Sequence, residues 1–147
     1  MCAGRRKKLI YQHDIFLEQY DTNVTNILYD QRGTSMKNDR WVYYKDVTPQ
    51  DQGNGVVRRV LAYSKDVMTV ENHFEKGAVG ALHHHPHTQI TYVVSGKFEF
   101  EIDGEKHIVE KGDTLLKTDG VEHGCVCLEE GVLLDIFTPY REDFVED

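Results

Sequence analysis

Three observations predict an all-β fold of sandwich or barrel type, built as one domain. Short segments rich in β-branched and aromatic residues recur with turn residues between them, the pattern of stacked antiparallel strands. Within residues 97–102 the alternation is strict: Phe98, Phe100 and Ile102 share one face, and Lys97, Glu99 and Glu101 the other. After residue 36 no stretch carries the period of a long helix.

Taken in order, residues 1–35 stand apart. They hold no proline, a basic patch from Arg5 to Lys8, a weakly helical apolar pattern over 9–20 and a break at QRGTS. They read as an N-terminal extension to a domain at 36–147, with Met36 as an alternative start. Residues 41–45, WVYYK, are aromatic and β-prone. QGNG at 52–55 is a turn, and strands follow at 56–63 and 67–74, separated by Ser64, Lys65 and Asp66. A histidine-rich segment leads into strands at 89–95 and 97–102. Asp103-Gly104 is a strong hairpin signal, because both residues tolerate the positive φ of a type I′ turn, and 107–110 is the return strand. Gly112 and Asp113 turn the chain into a strand at 114–117, and TDGVEHG at 118–124 forms a loop. The last strands are 125–128 and 132–137, with a turn at 129–131 and Pro139 as the stop.

The 147 residues suffice for one ordinary domain with a real core. A net charge of -8 argues against a nucleic-acid partner, whose phosphates are held chiefly by Lys and Arg. An anionic small molecule would need a local positive site. No window approaches the roughly 18 apolar residues of a membrane helix. The basic start is followed only by Leu9, Ile10 and Tyr11 before polar residues intervene, so it does not read as a secretory signal. Cys2, Cys125 and Cys127 are odd in number, with two of them one residue apart. That is a poor disulfide framework, and it predicts a cytoplasmic protein. Cys125 and Cys127 read as small half-buried hydrophobes, with thiolate ligation as the alternative.

Four of the eight histidines, His83, His84, His85 and His87, fall within five consecutive positions, and Gln89 follows. On an extended strand His83 and His85 point together and His84 points away, so the pair can share one metal ion. A solvated polar loop or a tag is the alternative. Gly77, Gly80, Pro86 and Gly96 favour a folded segment, because they punctuate it as strand, turn and strand. His73 shares a face with Thr69 and Glu71, and reads either as a cavity residue or as a satisfied core or surface histidine. His87 and His107 read as loop or surface residues, and Tyr92 and Tyr140 could line a ligand site.

The spacing then narrows the fold. Gly77, five residues, His83, one residue, His85, three residues, Gln89, six residues and Gly96 resemble the first cupin motif, with Gln89 where glutamate is usual. Gly112, five residues, Thr118, Asp119, Gly120, two residues and His123 resemble the second, with Thr118 in place of proline and Cys127 in place of asparagine. The resemblance implies a single-domain cupin, a double-stranded β-helix or jelly-roll barrel. It also implies a divalent transition metal (nickel, zinc, iron or manganese) held by His83, His85, Gln89 and His123. Three neutral imidazoles and a neutral amide leave the ion's charge uncompensated, which favours an anionic ligand. A position of Gln89 behind the ligands rather than among them stays open.

The tail LLDIFTPYREDF at 133–144, with HPHTQITYVVSGKFEFEIDGE and FEKGAVG, resembles the cupin enzymes that linearise unsaturated monouronates from pectin and alginate. Alternation puts Leu133, Asp135 and Phe137 on one face. A carboxylate within an apolar strand is costly unless paired or functional. Asp135 therefore reads either as a structural ion pair, with Arg141 as its partner, or as a cavity acid or base. Arg141 is either a surface residue or a bidentate grip on a carboxylate. The resemblance implies that Asp135, Phe137 and Arg141 act beside the metal in a ring-opening keto-enol tautomerisation. It implies an anionic sugar substrate and a homodimer, while net charge and the lack of a long apolar window lead to the expectation of no nucleic-acid or membrane partner. A non-heme iron dioxygenase and a non-catalytic sugar-binding cupin are the alternatives.

Overall fold

The computed structural model describes residues 40–145, together with the strand residues 28–29 and 35–36. The chain divides into two compact units, Met1–Asn38 and Asp39–Asp147. In the first, β1 (Leu28–Tyr29) pairs antiparallel with β2 (Ser35–Met36). The helical pattern expected over residues 9–20 lies outside the described residues.

The second unit is all β. Its strands are β3 (Gln50–Gly53), β4 (Val56–Tyr63), β5 (Met68–Phe74), β6 (Val79–His83), β7 (Thr88–Ile102), β8 (Glu105–Glu110), β9 (Thr114–Lys117) and β10 (His123–Thr138). They run antiparallel in the order β3-β4-β5-β10-β7-β8, with β6 also on β10 and β9 also on β7. Two strands are long enough to serve both layers of a rolled barrel. Residues 97–102 of β7 pair with β8, and residues 89–92 pair with β9. The first residues of β10 pair with β6, and residues 131–137 pair with β5. One layer is therefore β8-β7-β10-β6 and the other is β9-β7-β10-β5-β4-β3.

The change of layer occurs at irregularities in the β7–β10 ladder around Gly96 and Gly131. Gly96 has φ 83, and a Cβ there would meet the Gly131 Cα at 2.5 Å. Only a residue without a side chain allows both the left-handed backbone and this close approach. The sequence pattern predicts separate strands on either side of this point. The structure joins them, because the bulges bend the strands without ending their pairing.

Asn54-Gly55 and Asp103-Gly104 make tight hairpin turns, with φ 52 and 78 in the first and 50 and 78 in the second. Residues 41–45 do not form a strand. Trp41 to Tyr44 are exposed and run into a short 3-10 turn, Tyr44–Asp46. There Tyr44 lies under the Arg59 guanidinium and its hydroxyl donates to Glu71 Oε1 at 2.7 Å. Aromatic content alone does not make a strand where no neighbouring strand offers a ladder of partners.

Inside, Phe74, Val93, Phe98, Phe100, Cys127 and Leu133 form one apolar cluster, with Phe74 edge-on to Phe98 at 5.6 Å. Met68, Val70 and Phe137 form a second, closed by Tyr63, Tyr140 and Phe144. Polar side chains lie between them. Along β10 the inward order is Leu133, Asp135, Phe137, and along β5 it is Phe74, Asn72, Val70. Gly96→Ala is expected to destabilise the domain by about 2 kcal/mol or more, from positive-φ strain and backbone contact together. Urea unfolding measures this, and a variant as stable as the parent would show that the layer change does not depend on Gly96.

Candidate metal centre

Cross-strand register places the inward residues in rows. Tyr63, Met68, Phe137, Gln89 and Lys117 form one, and Val60, Val70, Asp135, Thr91 and Leu115 the next. Arg58, Asn72, Leu133 and Val93 form the third. From the facing layer come His83, at the end of β6, and its pair partner His123, at the start of β10. His85 sits in the connection to β7. Donor nitrogens of His83, His85 and His123 all lie within 4.8 Å of one another, a cluster able to hold a metal ion. His85 and His123 are buried and His83 is exposed. His84 is exposed, as expected for the residue that points away.

The hydrogen bonds test whether these residues fit an ion. Nδ1 of His83 donates to Ala81 O and Nδ1 of His123 to Val121 O, each at 2.8 Å, so in both rings Nε2 carries the lone pair. Gln89 Nε2 donates to Asp135 Oδ1 at 2.7 Å. A carboxylate only accepts, which turns Gln89 Oε1 toward the imidazoles. Oε1 lies 3.0 Å from His85 Nε2 and 3.1 Å from His123 Nε2. Oε1 and the His123 Nε2 are both acceptors and have no proton to share. A cation between them satisfies both, so the donor set fits a divalent transition metal.

Burial pushes His85 below the usual imidazole range and takes His123 down to about 4. Both rings are accordingly neutral near pH 7 and free to donate lone pairs.

Asp135 is buried and makes no ion pair with Arg141. Its Oδ1 accepts from Gln89 and from the Thr91 hydroxyl, and its Oδ2 accepts from Asn72 Nδ2 at 2.8 Å. Lys117, also buried, donates to Thr91 Oγ1. Removal from water lowers the Lys117 pKa, and the nearby Asp135 carboxylate partly restores it. Arg141 gives its Nε and Nη2 edge to Asp143, at 2.8 and 2.7 Å, and lies over the Phe137 and Phe144 rings. Phe137 is buried between Arg141 and His85. Asn72, Gln89, Thr91, Lys117, Asp135, Phe137 and Arg141 line a cavity of about 430 Å³ that reaches from His83 and His123 to Arg58 and Phe144.

Other residues fall elsewhere. His73 is on the outer face of β5 with Thr69 and Glu71, bonded to Glu71 at 2.6 Å. Tyr92 is exposed on the outer face of β7, and Tyr140 stacks on Tyr63. His107 is an exposed partner of Glu105, and His87 is half-buried beside His85. Cys125 and Cys127 are buried, and burial pushes the Cys125 thiol up to about 12. Asn72, Thr91 and Lys117 are site residues that motif spacing does not flag. For Asn72 a signal exists, since it alternates with Met68, Val70 and Phe74 on the apolar face of its strand.

A small antiparallel barrel with three imidazoles and an amide turned inward is the architecture of a metal-binding cupin. The cupin domain family matches residues 70–137. The chain is 45% identical to the pectin degradation protein KdgF of Dickeya dadantii over 109 residues, which is 72% of this chain and 99% of that protein. It is 37% identical to the structure of KdgF from a Halomonas species, with a TM-score of 0.70 over 73% of this chain and 99% of the other. An RmlC-like cupin from Shewanella frigidimarina gives 37% identity and a TM-score of 0.71 over 73% and 96%. The chain belongs to the KdgF family of cupins.

The depressed His123 pKa carries a sign. A group at about 4 when folded and 6.5 when unfolded takes up protons preferentially in the unfolded chain between those values. In metal-free protein the contribution of His123 to stability is expected to be fully present above pH 6.5 and to be lost progressively as pH falls toward 4. Thermal unfolding across that range, with chelator present, measures the trend, and a flat profile would contradict it.

Proposed function

We propose that the chain is an isomerase that converts cyclic unsaturated monouronates, of the kind released from pectin and alginate, to linear keto-deoxyuronates. The observation that carries this reading is Asp135, a buried carboxylate on the wall of the cavity that also holds the donor set. Its Oδ1 is occupied by Gln89 and Thr91, while Oδ2 accepts from Asn72 alone. Oδ2 is thus the atom with capacity for a transferable proton. Likeness to a pectin degradation protein over nearly all of that protein's length supports the substrate class.

His83, His85, Gln89 and His123 would hold a divalent ion, which would supply Lewis-acid polarisation and charge stabilisation when bound. The chain's own groups do the rest. Asp135 Oδ2 takes the proton of the anomeric hydroxyl while the bond between the anomeric carbon and the ring oxygen breaks. The hydroxyl's electron pair becomes the aldehyde carbonyl, and the pair of the broken bond leaves on the ring oxygen as an enolate. The proton then passes to the neighbouring double-bond carbon, and the enolate becomes a ketone. Composition is unchanged, so the step is an isomerisation. Phe137 gives the sugar ring an apolar surface, and Arg141 keeps positive charge beside it.

Proton NMR of freshly made unsaturated galacturonate is expected to show faster loss of the cyclic form with protein than in buffer. Asp135→Ala, assayed at saturating metal, is expected to lower that rate about 100-fold or more, the range of a positioned acid or base. No acceleration by the parent, or full activity in the variant, would overturn the reading.

A further inference from the structure

Arg58 has no part in the motifs or in the mechanism above, yet it lines the same cavity. It stands on β4 at the end of the inward row that continues through Asn72 and Leu133. Its side chain is half-buried. Among the described residues its hydrogen bonding is confined to Nε, which donates to Asn72 Oδ1 at 3.4 Å. Its two Nη groups have no hydrogen-bond or ion-pair partner there. The guanidinium carbon lies 3.8 Å from the Phe144 ring centroid, and the Arg141 guanidinium lies 4.3 Å from the same centroid.

Two guanidiniums over one ring are like charges in a partly desolvated place. Burial and the nearby Arg141 both hold the Arg58 pKa below the ordinary arginine range. Arg141 has a carboxylate of its own in Asp143, whereas Arg58 has none bonded to it. A planar fork of unoccupied donors facing a cavity suits one ligand chemistry above others, the carboxylate. The chain as a whole is acidic, so the gathering of Arg58, Arg141 and Lys117 around one cavity runs against its average.

We propose that Arg58 is a substrate-binding residue whose Nη groups receive the carboxylate of the sugar acid, with Phe144 holding the guanidinium flat. This rests on the reading of the ligand as a uronate. Asn72 connects the two ends of the site: its Oδ1 accepts from Arg58 and its Nδ2 donates to Asp135. Carboxylate grip and proton carrier are thereby fixed relative to one another by one amide. Arg59, next along the chain, points to the opposite face over Tyr44 and serves as the control.

The test compares Arg58→Gln, Arg58→Lys and Arg59→Gln in metal-loaded protein, with metal content and melting temperature checked for each. Binding of D-galacturonate and of neutral galactose is followed by NMR titration, and KM and kcat are measured on the unsaturated uronate. Arg58→Gln is expected to weaken galacturonate binding and raise KM by about 10- to 100-fold, the loss of a charge-assisted pair, with kcat within about threefold. Galactose binding and the Arg59→Gln protein are expected to be unchanged. Arg58→Lys keeps the charge without the fork and is expected to fall between, which preserves the test if the glutamine variant does not fold. Galacturonate binding unaltered in both Arg58 variants, or absent from the parent, would overturn the proposal. Parent protein that opens no ring but loses galacturonate binding on Arg58→Gln would overturn the reaction alone.

Discussion

The hydrogen bond from Gln89 Nε2 to Asp135 Oδ1 fixes more of this molecule than any other single contact. An amide can present either end to a neighbour, and nothing in glutamine itself decides which. A carboxylate decides it, because it accepts and never donates. With Nε2 committed to Asp135, Oε1 must face His85 and His123, and the three imidazole nitrogens gain a fourth donor atom, an amide oxygen. The carboxylate would be untenable in this interior by itself. It is held by Asn72, Gln89 and Thr91, with the Lys117 ammonium one hydroxyl further away. Amide, carboxylate and buried lysine form one connected arrangement in which each member sets the orientation or charge of the next.

The barrel makes that arrangement available. Asp135 and His123 belong to one continuous strand, but to parts of it that pair in different layers. Gln89 and Thr91 sit opposite Phe137 and Asp135 on β7, in the half that also carries β9 and Lys117. Without the bends near Gly96 and Gly131 the histidine end and the carboxylate end of these strands would lie along a flat sheet. The bends bring both into a single interior.

Much of this was legible in the chain. The strict alternation of residues 97–102 places Phe98 and Phe100 in the core, and Asp103-Gly104 turns where the hairpin signal puts it. Motif spacing names His83, His85 and His123, whose donor nitrogens cluster, and Gln89, whose Oε1 faces two of them, because cupin spacing reflects strand and turn lengths as well as residue types. What could not be read is whatever depends on register between distant strands. Arg58 and Arg59 are adjacent arginines with equal local context, and only pairing with Asn72 rather than Glu71 sends one inward. Lys117 in TLLK has the same difficulty: its burial follows from standing opposite Gln89. The aromatic run at 41–45 misled for the complementary reason, since it has strand composition and no strand beside it.

The sharing of β7 and β10 between both layers also bears on how the protein comes apart. In a sandwich of separate sheets, one sheet can loosen while the other persists. Here the same two backbones supply hydrogen bonds to both layers, so opening either one strips partners from the other. Amide hydrogens of the central strands would then exchange with solvent only through whole-domain opening, while those of the outlying β3 exchange earlier. The histidine cluster and the carboxylate lie inside that single cooperative unit, so a population with half a site has no stable structure to occupy.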